Sequence, residues 1–202
     1  MEKTRLFAAT SNAGKVREFA LAGTELSGCE IAPLPNFREL PTVEETGATF
    51  EDNARIKAVH YSGFTNDLVF AEDSGLSVDA LGGAPGVYSA RFSGIGASDA
   101  ENNALLLERL RGVSNRSARF VCVIALARQG RVLATFEESV EGEILEEPRG
   151  ANGFGYDPLF YHPPSGCTTA ELAPSAKLAI SHRGRAIRAL AAWLNGQHET
   201  VT

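Results

Sequence analysis

Short apolar runs alternate along the chain with segments whose apolar residues recur every three or four positions. Leu6 to Ala9 predicts a short buried strand. Thr10, Ser11, Asn12, Ala13 and Gly14 form a turn, and from Lys15 onward Val16, Phe19, Ala20 and Ala22 follow helical spacing. Glu30 to Leu34 predicts a second strand, ended by Pro33 and Pro35. Residues 36–47 carry no regular pattern. Thr49 then stands as an N-cap with Asp52 at the capping-box position, and Phe50, Ala54, Ala58 and Tyr61 line one helical stripe. Leu68 to Ala71 predicts a four-residue strand that stops at the turn-like Glu72-Asp73-Ser74-Gly75.

Residues 82–86 are a glycine-rich loop. Ser98 with Glu101 is a capping box for a helix carrying Leu105, Leu106 and Leu110 on its apolar face. Arg119 to Ala127 is the most strand-like run, and Gln129-Gly130 turns it into Val132 to Phe136, an antiparallel hairpin. Residues 150–158 predict a second glycine-rich loop, and a final helix from about Gly184 buries Ile187, Leu190, Trp193 and Leu194. Helices mixed with strands and one hairpin predict an α/β fold around a mixed sheet, without internal repeats.

Composition narrows the class. At 202 residues the chain fits one domain, and 44% hydrophobic with 22% charged residues excludes a disordered chain. The formal charge is -6, and the deficit lies wholly in residues 1–100, which hold 8 basic and 14 acidic groups against 11 of each in the remainder. No stretch is basic enough to grip a nucleic-acid backbone. An acidic chain that binds a phosphate compound needs a metal or a few placed cations. Cys29, Cys122 and Cys167 match neither a disulfide framework nor paired metal-ligand spacing, and Cys122 reads as a small buried side chain. His60, His162, His182 and His198 are isolated, without zinc spacing. No apolar run reaches the roughly 18 residues of a membrane span, and the apolar part of the N-terminus is too brief for a secretory signal. A cytoplasmic location is expected.

Five polar constellations carry candidate chemistry. Thr10-Ser11-Asn12-Ala13-Gly14-Lys15 follows a strand; it is shorter than a Walker loop, yet backbone donors, a helix start and an ammonium there suit an anion. An ordinary capped turn is the alternative. Glu44-Glu45-Thr46-Gly47 precedes a helix whose Asn53 and Lys57 leave one face. Glu72-Asp73-Ser74-Gly75 closes a buried strand, where two carboxylates require a cation; Mg²⁺ accepts carboxylate oxygens together with phosphates and waters. Glycines flank Phe154 in Gly153-Phe154-Gly155-Tyr156-Asp157-Pro158, leaving its ring accessible to a nucleobase whose edge Asp157 could bind, or sealing the core. Lys177 with Ser181-His182-Arg183-Gly184 offers donors to purine carbonyls or phosphate. Ser74 lies in no nucleophile elbow, so metal-assisted attack by water is the better candidate.

Together with Gly82-Gly83-Ala84-Pro85-Gly86-Val87-Tyr88-Ser89-Ala90-Arg91, these segments resemble, in order from Leu6 to about Leu194, the inosine triphosphate pyrophosphatase family. The resemblance implies an elongated α/β fold, one domain over residues 1–202 with two lobes around a central nucleotide cleft, and a homodimer. It implies Mg²⁺-dependent hydrolysis of free non-canonical purine nucleoside triphosphates (ITP, dITP, XTP) between the α and β phosphates. Carried onto this chain, Asn12, Lys15 and Lys57 would hold the triphosphate, with Thr10, Ser11, Asn53 and Ser74 at the same site. Glu45, Glu72 and Asp73 would bind Mg²⁺, and Asp73 would orient or deprotonate the attacking water. Phe154 would stack on the base within Gly155 and Tyr156, while Asp157, Lys177, His182 and Arg183 would read its edge. Two departures stand out: Glu72 where many relatives carry Asp, and Ser11 where a glycine is common. The competing expectations are a related pyrophosphatase with another base preference and a nucleotide-binding protein without turnover.

Overall fold

Leu6, Phe7 and Ala8 are buried in β1 (Thr4–Ala8), the first strand of a computed structural model that describes residues 4–26 and 28–199. The first three residues of the N-terminus read above for a signal, and the side chain of His198, lie outside the described residues. Asn12 caps α1 (Ala13–Glu25), which crosses over to β2 (Cys29–Pro33), parallel to β1. This is the strand, loop and helix of the sequence pattern.

The predicted capping boxes both form. Thr49 and Asp52 open α2 (Phe50–Ser62), and Ser98 and Glu101 open α3 (Asp99–Arg109). The hairpin forms between β4 (Ser117–Arg128) and β5 (Arg131–Ile144), neighbours in the sheet, through Gln129 and Gly130 at φ 49° and 74°. Two left-handed residues match the twist of such a two-residue turn.

The structure departs from the sequence pattern at β3, which runs through Leu68–Val78 and does not stop at Ala71. Glu72, Asp73 and Gly75 are strand residues. Leu76 and Val78 beyond them are fully buried, so the strand continues to a second apolar stretch. Gly75 allows the 3-10 turn Gly86–Arg91 to close on it: a Cβ there would stand 2.6 Å from the Gly86 carbonyl oxygen. Two short strands, β6 (Phe160–His162) and β7 (Cys167–Thr168), and the seven-residue α4 (Pro174–Ile180) were not legible in the pattern. The last helix, α5, spans His182–Glu199 and starts two residues before Gly184.

The strands form a mixed seven-stranded sheet in the order β2-β1-β3-β4-β5-β6-β7. β1 is parallel to β2 and β3, and β6 is antiparallel to β5 and β7. The chain divides into two compact units. The first holds residues up to Asp73, Cys122–Glu138 and the chain from Arg183; its core packs α2 residues Ala54, Ala58 and Tyr61 on Phe7, Val69, Ala71, Val123 and Ala125. The second holds Ser74–Val121 and Ser139–His182; its core joins Leu76, Val78, Leu106, Leu110, Phe120, Leu159 and Phe160. Among the described residues no helix is long and apolar enough to cross a membrane.

Candidate active site

In the first unit the end of α1 that follows β1 is closed by its own cap. The Asn12 Oδ1 accepts from the Gly14 and Lys15 amides at 2.9 and 3.1 Å, and the Thr10 Oγ1 accepts from the Asn12 amide. Two of the backbone donors expected to face an anion therefore bind Asn12. Ser11 is exposed beside them. What the helix start presents is the Lys15 ammonium, 2.5 Å from Glu72 Oε1.

Glu72 is held on all sides. Its side chain is 1% exposed; Arg183 Nη2 lies 3.5 Å from Oε1, and the Cys122 thiol donates to Oε2 at 3.1 Å. Arg183, buried as well, also pairs with Glu18 of α1. Burial favours the neutral acid, but the Arg183 and Lys15 charges prevail and hold the Glu72 carboxyl well below the usual carboxylate range. Cys122 is thus more than the apolar filler expected of it: its thiol binds Glu72, and burial with that neighbouring anion pushes its pKa well up.

Asp73, next along β3, belongs to a second group. Lys57 Nζ donates to Asp73 Oδ1 at 2.9 Å and to Glu45 Oε2 at 3.0 Å, bridging two carboxylates. Asn53, one turn before Lys57 on the same face of α2, donates to Asp73 Oδ2 at 3.3 Å and accepts from the Gly47 amide at 2.8 Å. The helix therefore fixes both the acid and the loop carrying Glu45. Burial raises the Asp73 pKa, Lys57 opposing and Glu45 adding to the rise. Burial favours the neutral Glu45, but the charge and hydrogen bond of Lys57, with Asp73 and Lys15 adding to them, together lower its pKa, and Lys57 is raised by its two acids against burial.

These donors bear on a metal. Among the described residues no three His, Cys, Asp or Glu groups converge. Glu45 and Asp73 share one cation and supply hard oxygens, a set that suits Mg²⁺, which takes one or two carboxylates and completes its shell with waters and phosphate. Both Glu72 oxygens are engaged by Lys15, Arg183 and Cys122, so the structure groups Glu72 with those cations.

The second unit holds the other expected residues. Asp157 is 2% exposed: Oδ2 accepts from the Phe154 amide at 2.8 Å and from Lys177 Nζ at 2.5 Å, and Oδ1 accepts from Thr169 Oγ1 at 2.8 Å. The Lys177 ammonium lies 4.9 Å from the centre of the half-buried Phe154 ring. The Tyr156 hydroxyl donates to the Ser89 carbonyl at 2.8 Å, and Ser89 Oγ accepts from the Leu76 amide, which ties this loop to β3. Burial, with the nearby Asp99 charge, pushes the Tyr156 phenol up. His182 stacks on Phe120 with centroids 4.9 Å apart and an 18° tilt. Ser74 follows Asp73 in β3.

These two groups, acids bridged by ammoniums and an aromatic ring backed by a Lys–Asp pair, are those the resemblance singled out, and the Ham1 family matches residues 6–193 of the chain. The chain belongs to the Ham1 family. It is 50% identical over 188 residues to a dITP/XTP pyrophosphatase of an Exiguobacterium species, covering 93% of this chain and 95% of that one. It is 52% identical over 184 residues to a dITP/XTP pyrophosphatase of Geobacillus kaustophilus, covering 90% of each. Among solved structures, a HAM1 protein from Coxiella burnetii superposes with a TM-score of 0.85 at 43% identity, covering 96% of this chain and 99% of that one. The resemblance drawn from the motifs and the mixed-sheet α/β class are both borne out.

Sequence reasoning missed Glu18, Cys122, Thr169, Ser89 and Asp99 as neighbours of these residues. Glu18 follows Lys15 by three positions on α1, a spacing that signals a shared face. Cys122 inside an apolar strand and Thr169 in a polar stretch carry no such signal.

Proposed function

We propose that this chain is a Mg²⁺-dependent pyrophosphatase of non-canonical purine nucleoside triphosphates. It hydrolyses dITP, XTP and ITP between the α and β phosphates to the monophosphate and pyrophosphate, clearing deaminated purines from the nucleotide pool. The observation that carries the reading is Lys57 bridging Glu45 and Asp73, with Lys15 set on the adjacent Glu72. The two relatives named dITP/XTP pyrophosphatase, matched over at least 90% of each chain, support the substrate class.

In this reading Lys15, Lys57 and Asn12 hold the triphosphate, with Thr10, Ser11, Asn53 and Ser74 beside them. Glu45 and Asp73 are the carboxylates that hold Mg²⁺. The metal supplies charge neutralisation on the phosphates and activation of water. Asp73, kept in place by Lys57 and Asn53, accepts the proton of the attacking water at a carboxylate oxygen. The water oxygen bonds to phosphorus as the α–β phosphoanhydride bond breaks and pyrophosphate leaves with the bonding pair. Glu72 holds the two cations Lys15 and Arg183 in place and does not ligate the metal.

Phe154 stacks on the purine, with Gly155 and Tyr156 following it in the loop. Lys177, held in place by Asp157, and His182 read the base edge. A donor there suits the 6-carbonyl of hypoxanthine and xanthine, and the 6-amino group of adenine would leave it unpaired at a cost of about 1–3 kcal/mol. Arg183, expected at the base edge, is engaged by Glu18 and Glu72. The reading places the enzyme in the cytoplasm as a homodimer that acts on free nucleotides, and light scattering in solution tests the dimer.

Product analysis with dITP, XTP, ITP, GTP, ATP and dUTP, with and without Mg²⁺, tests the whole. Monophosphate and pyrophosphate from the first three, only with metal, are expected. A diphosphate with inorganic phosphate would overturn the bond assignment, and binding without any product would mean a nucleotide sensor.

A further inference from the structure

Phe154 sits between two glycines with left-handed backbones, Gly153 at φ +79° and Gly155 at φ +62°. Such a segment has wide conformational freedom, and a ring that must present one face to a base needs that freedom removed. Asp157 fixes the front of the segment through the Phe154 amide. The back is fixed by α3, an element outside every motif that pointed to the site. Asp99 Oδ2 accepts from the Gly155 amide at 2.7 Å, and Asn103 Nδ2 donates to the Gly155 carbonyl at 3.0 Å. Residues 99 and 103 are four apart and leave one face of α3, so one helix turn grips both backbone polar groups of Gly155.

The orientation of Asn103 shows what it serves. With Nδ2 on the Gly155 carbonyl, its Oδ1 is buried and has no hydrogen-bond partner among the described residues. A buried acceptor left in that state destabilises the fold. The side chain thus satisfies the loop at the expense of its own oxygen.

We infer that Asp99 and Asn103 are positioning residues for base recognition: they clamp the Gly155 backbone and so set the Phe154 ring against the Lys177 ammonium. The inference rests on the proposed reading of Phe154 as the base platform. Neither residue touches the substrate. Their effect falls on recognition of the base and leaves recognition of the triphosphate untouched.

Asn103→Leu removes both the clamp and the unsatisfied oxygen, and Asn103→Asp keeps the shape but faces the Gly155 carbonyl with an oxygen. For both variants we expect faster amide exchange at Gly155, a KM for dITP raised about tenfold, and kcat within about twofold of wild type. The inhibition constant of inorganic tripolyphosphate, which has no base, stays at the wild-type value. The melting temperature of Asn103→Leu is unchanged or higher, which separates this role from support of the fold. A KM and a tripolyphosphate constant that rise together would overturn the inference, as would accelerated Gly155 exchange with an unchanged KM. Should wild-type protein not turn over dITP at all, the proposed function fails by that result. The clamp itself then stands or falls on the Gly155 exchange rate in Asn103→Leu.

Discussion

Glu72 and Lys15 form an ion pair in which the carboxylate is 1% exposed and the ammonium 18%, at 2.5 Å. An acid in the middle of a buried strand is tolerated because cations from α1 and from the start of α5 converge on it. Removing its charge leaves Lys15 and Arg183 to repel each other, and breaking a buried pair costs about 3–5 kcal/mol. Glu72→Gln is expected to lose stability of that order in urea denaturation. Its Mg²⁺ activation midpoint should stay at the wild-type value, whereas Glu45→Gln moves the midpoint to higher metal. A shifted midpoint in Glu72→Gln would make Glu72 a metal ligand.

The same carboxylate sets an acid dependence. Its pKa is depressed in the folded state, since the Arg183 and Lys15 charges overcome burial. A depressed carboxyl stabilises the fold above its unfolded value of about 4.3, and that contribution is lost as the pH falls toward the folded value. Wild-type protein should therefore lose stability on acidification below about pH 4. Glu72→Gln, less stable at neutral pH, should lose less over the same range. Parallel stability curves would refute this assignment.

Asp73 is anchored by Lys57 on one oxygen and Asn53 on the other. Asp73→Asn preserves the shape and removes the proton acceptor, so kcat should fall by about 10²- to 10⁴-fold. Calorimetry should still detect dITP binding. Because burial raises the Asp73 pKa, its carboxyl in the metal-free wild type should titrate above the ordinary aspartate value of about 3.9 when followed by NMR. Titration at or below that value would show that Lys57 outweighs burial there.

Lys57 balances Glu45 and Asp73 at once. Replacing it with Met leaves two carboxylates facing each other with one cation fewer. Mg²⁺ binding to the nucleotide-free protein should then tighten, since a divalent ion meets no competing ammonium, while turnover falls with the loss of a phosphate contact. Weaker metal binding in Lys57→Met would show that Glu45 and Asp73 do not form the cation site.

What was legible in the sequence was local. The Asn12 turn, the two capping boxes and the Gln129-Gly130 hairpin are decided by neighbours within four residues, and each formed. The course of β3 was not legible. Glu72-Asp73-Ser74-Gly75 looks like a turn because buried carboxylates are costly, and the charges that offset them, Lys15, Lys57 and Arg183, are distant in sequence. The same distance hid the bond of the Cys122 thiol to Glu72 and the pairing of Arg183 with Glu18 and Glu72. Helix α4 has seven residues, too few for a periodic signal. Asp99 and Asn103 read only as polar positions of a capped helix, because their partner is a backbone 56 and 52 residues away.

The glycines flanking Phe154 should not be equivalent. Both have left-handed backbones, where a Cβ costs roughly 1–2 kcal/mol. A Cβ on Gly155 would meet nothing within 4 Å, but one on Gly153 would lie 2.8 Å from Asp157 Cγ and closer still to Oδ2. Asp157 has no room to yield, because Lys177, Thr169 and the Phe154 amide hold its oxygens. Gly155→Ala should therefore cost only the backbone term. Gly153→Ala should cost more in denaturant and raise the KM for dITP well beyond Gly155→Ala, since displacing Asp157 also frees Lys177 from its place under the ring. Inhibition by inorganic tripolyphosphate should be the same in both. Equal KM values for the two variants would separate Asp157 from base recognition.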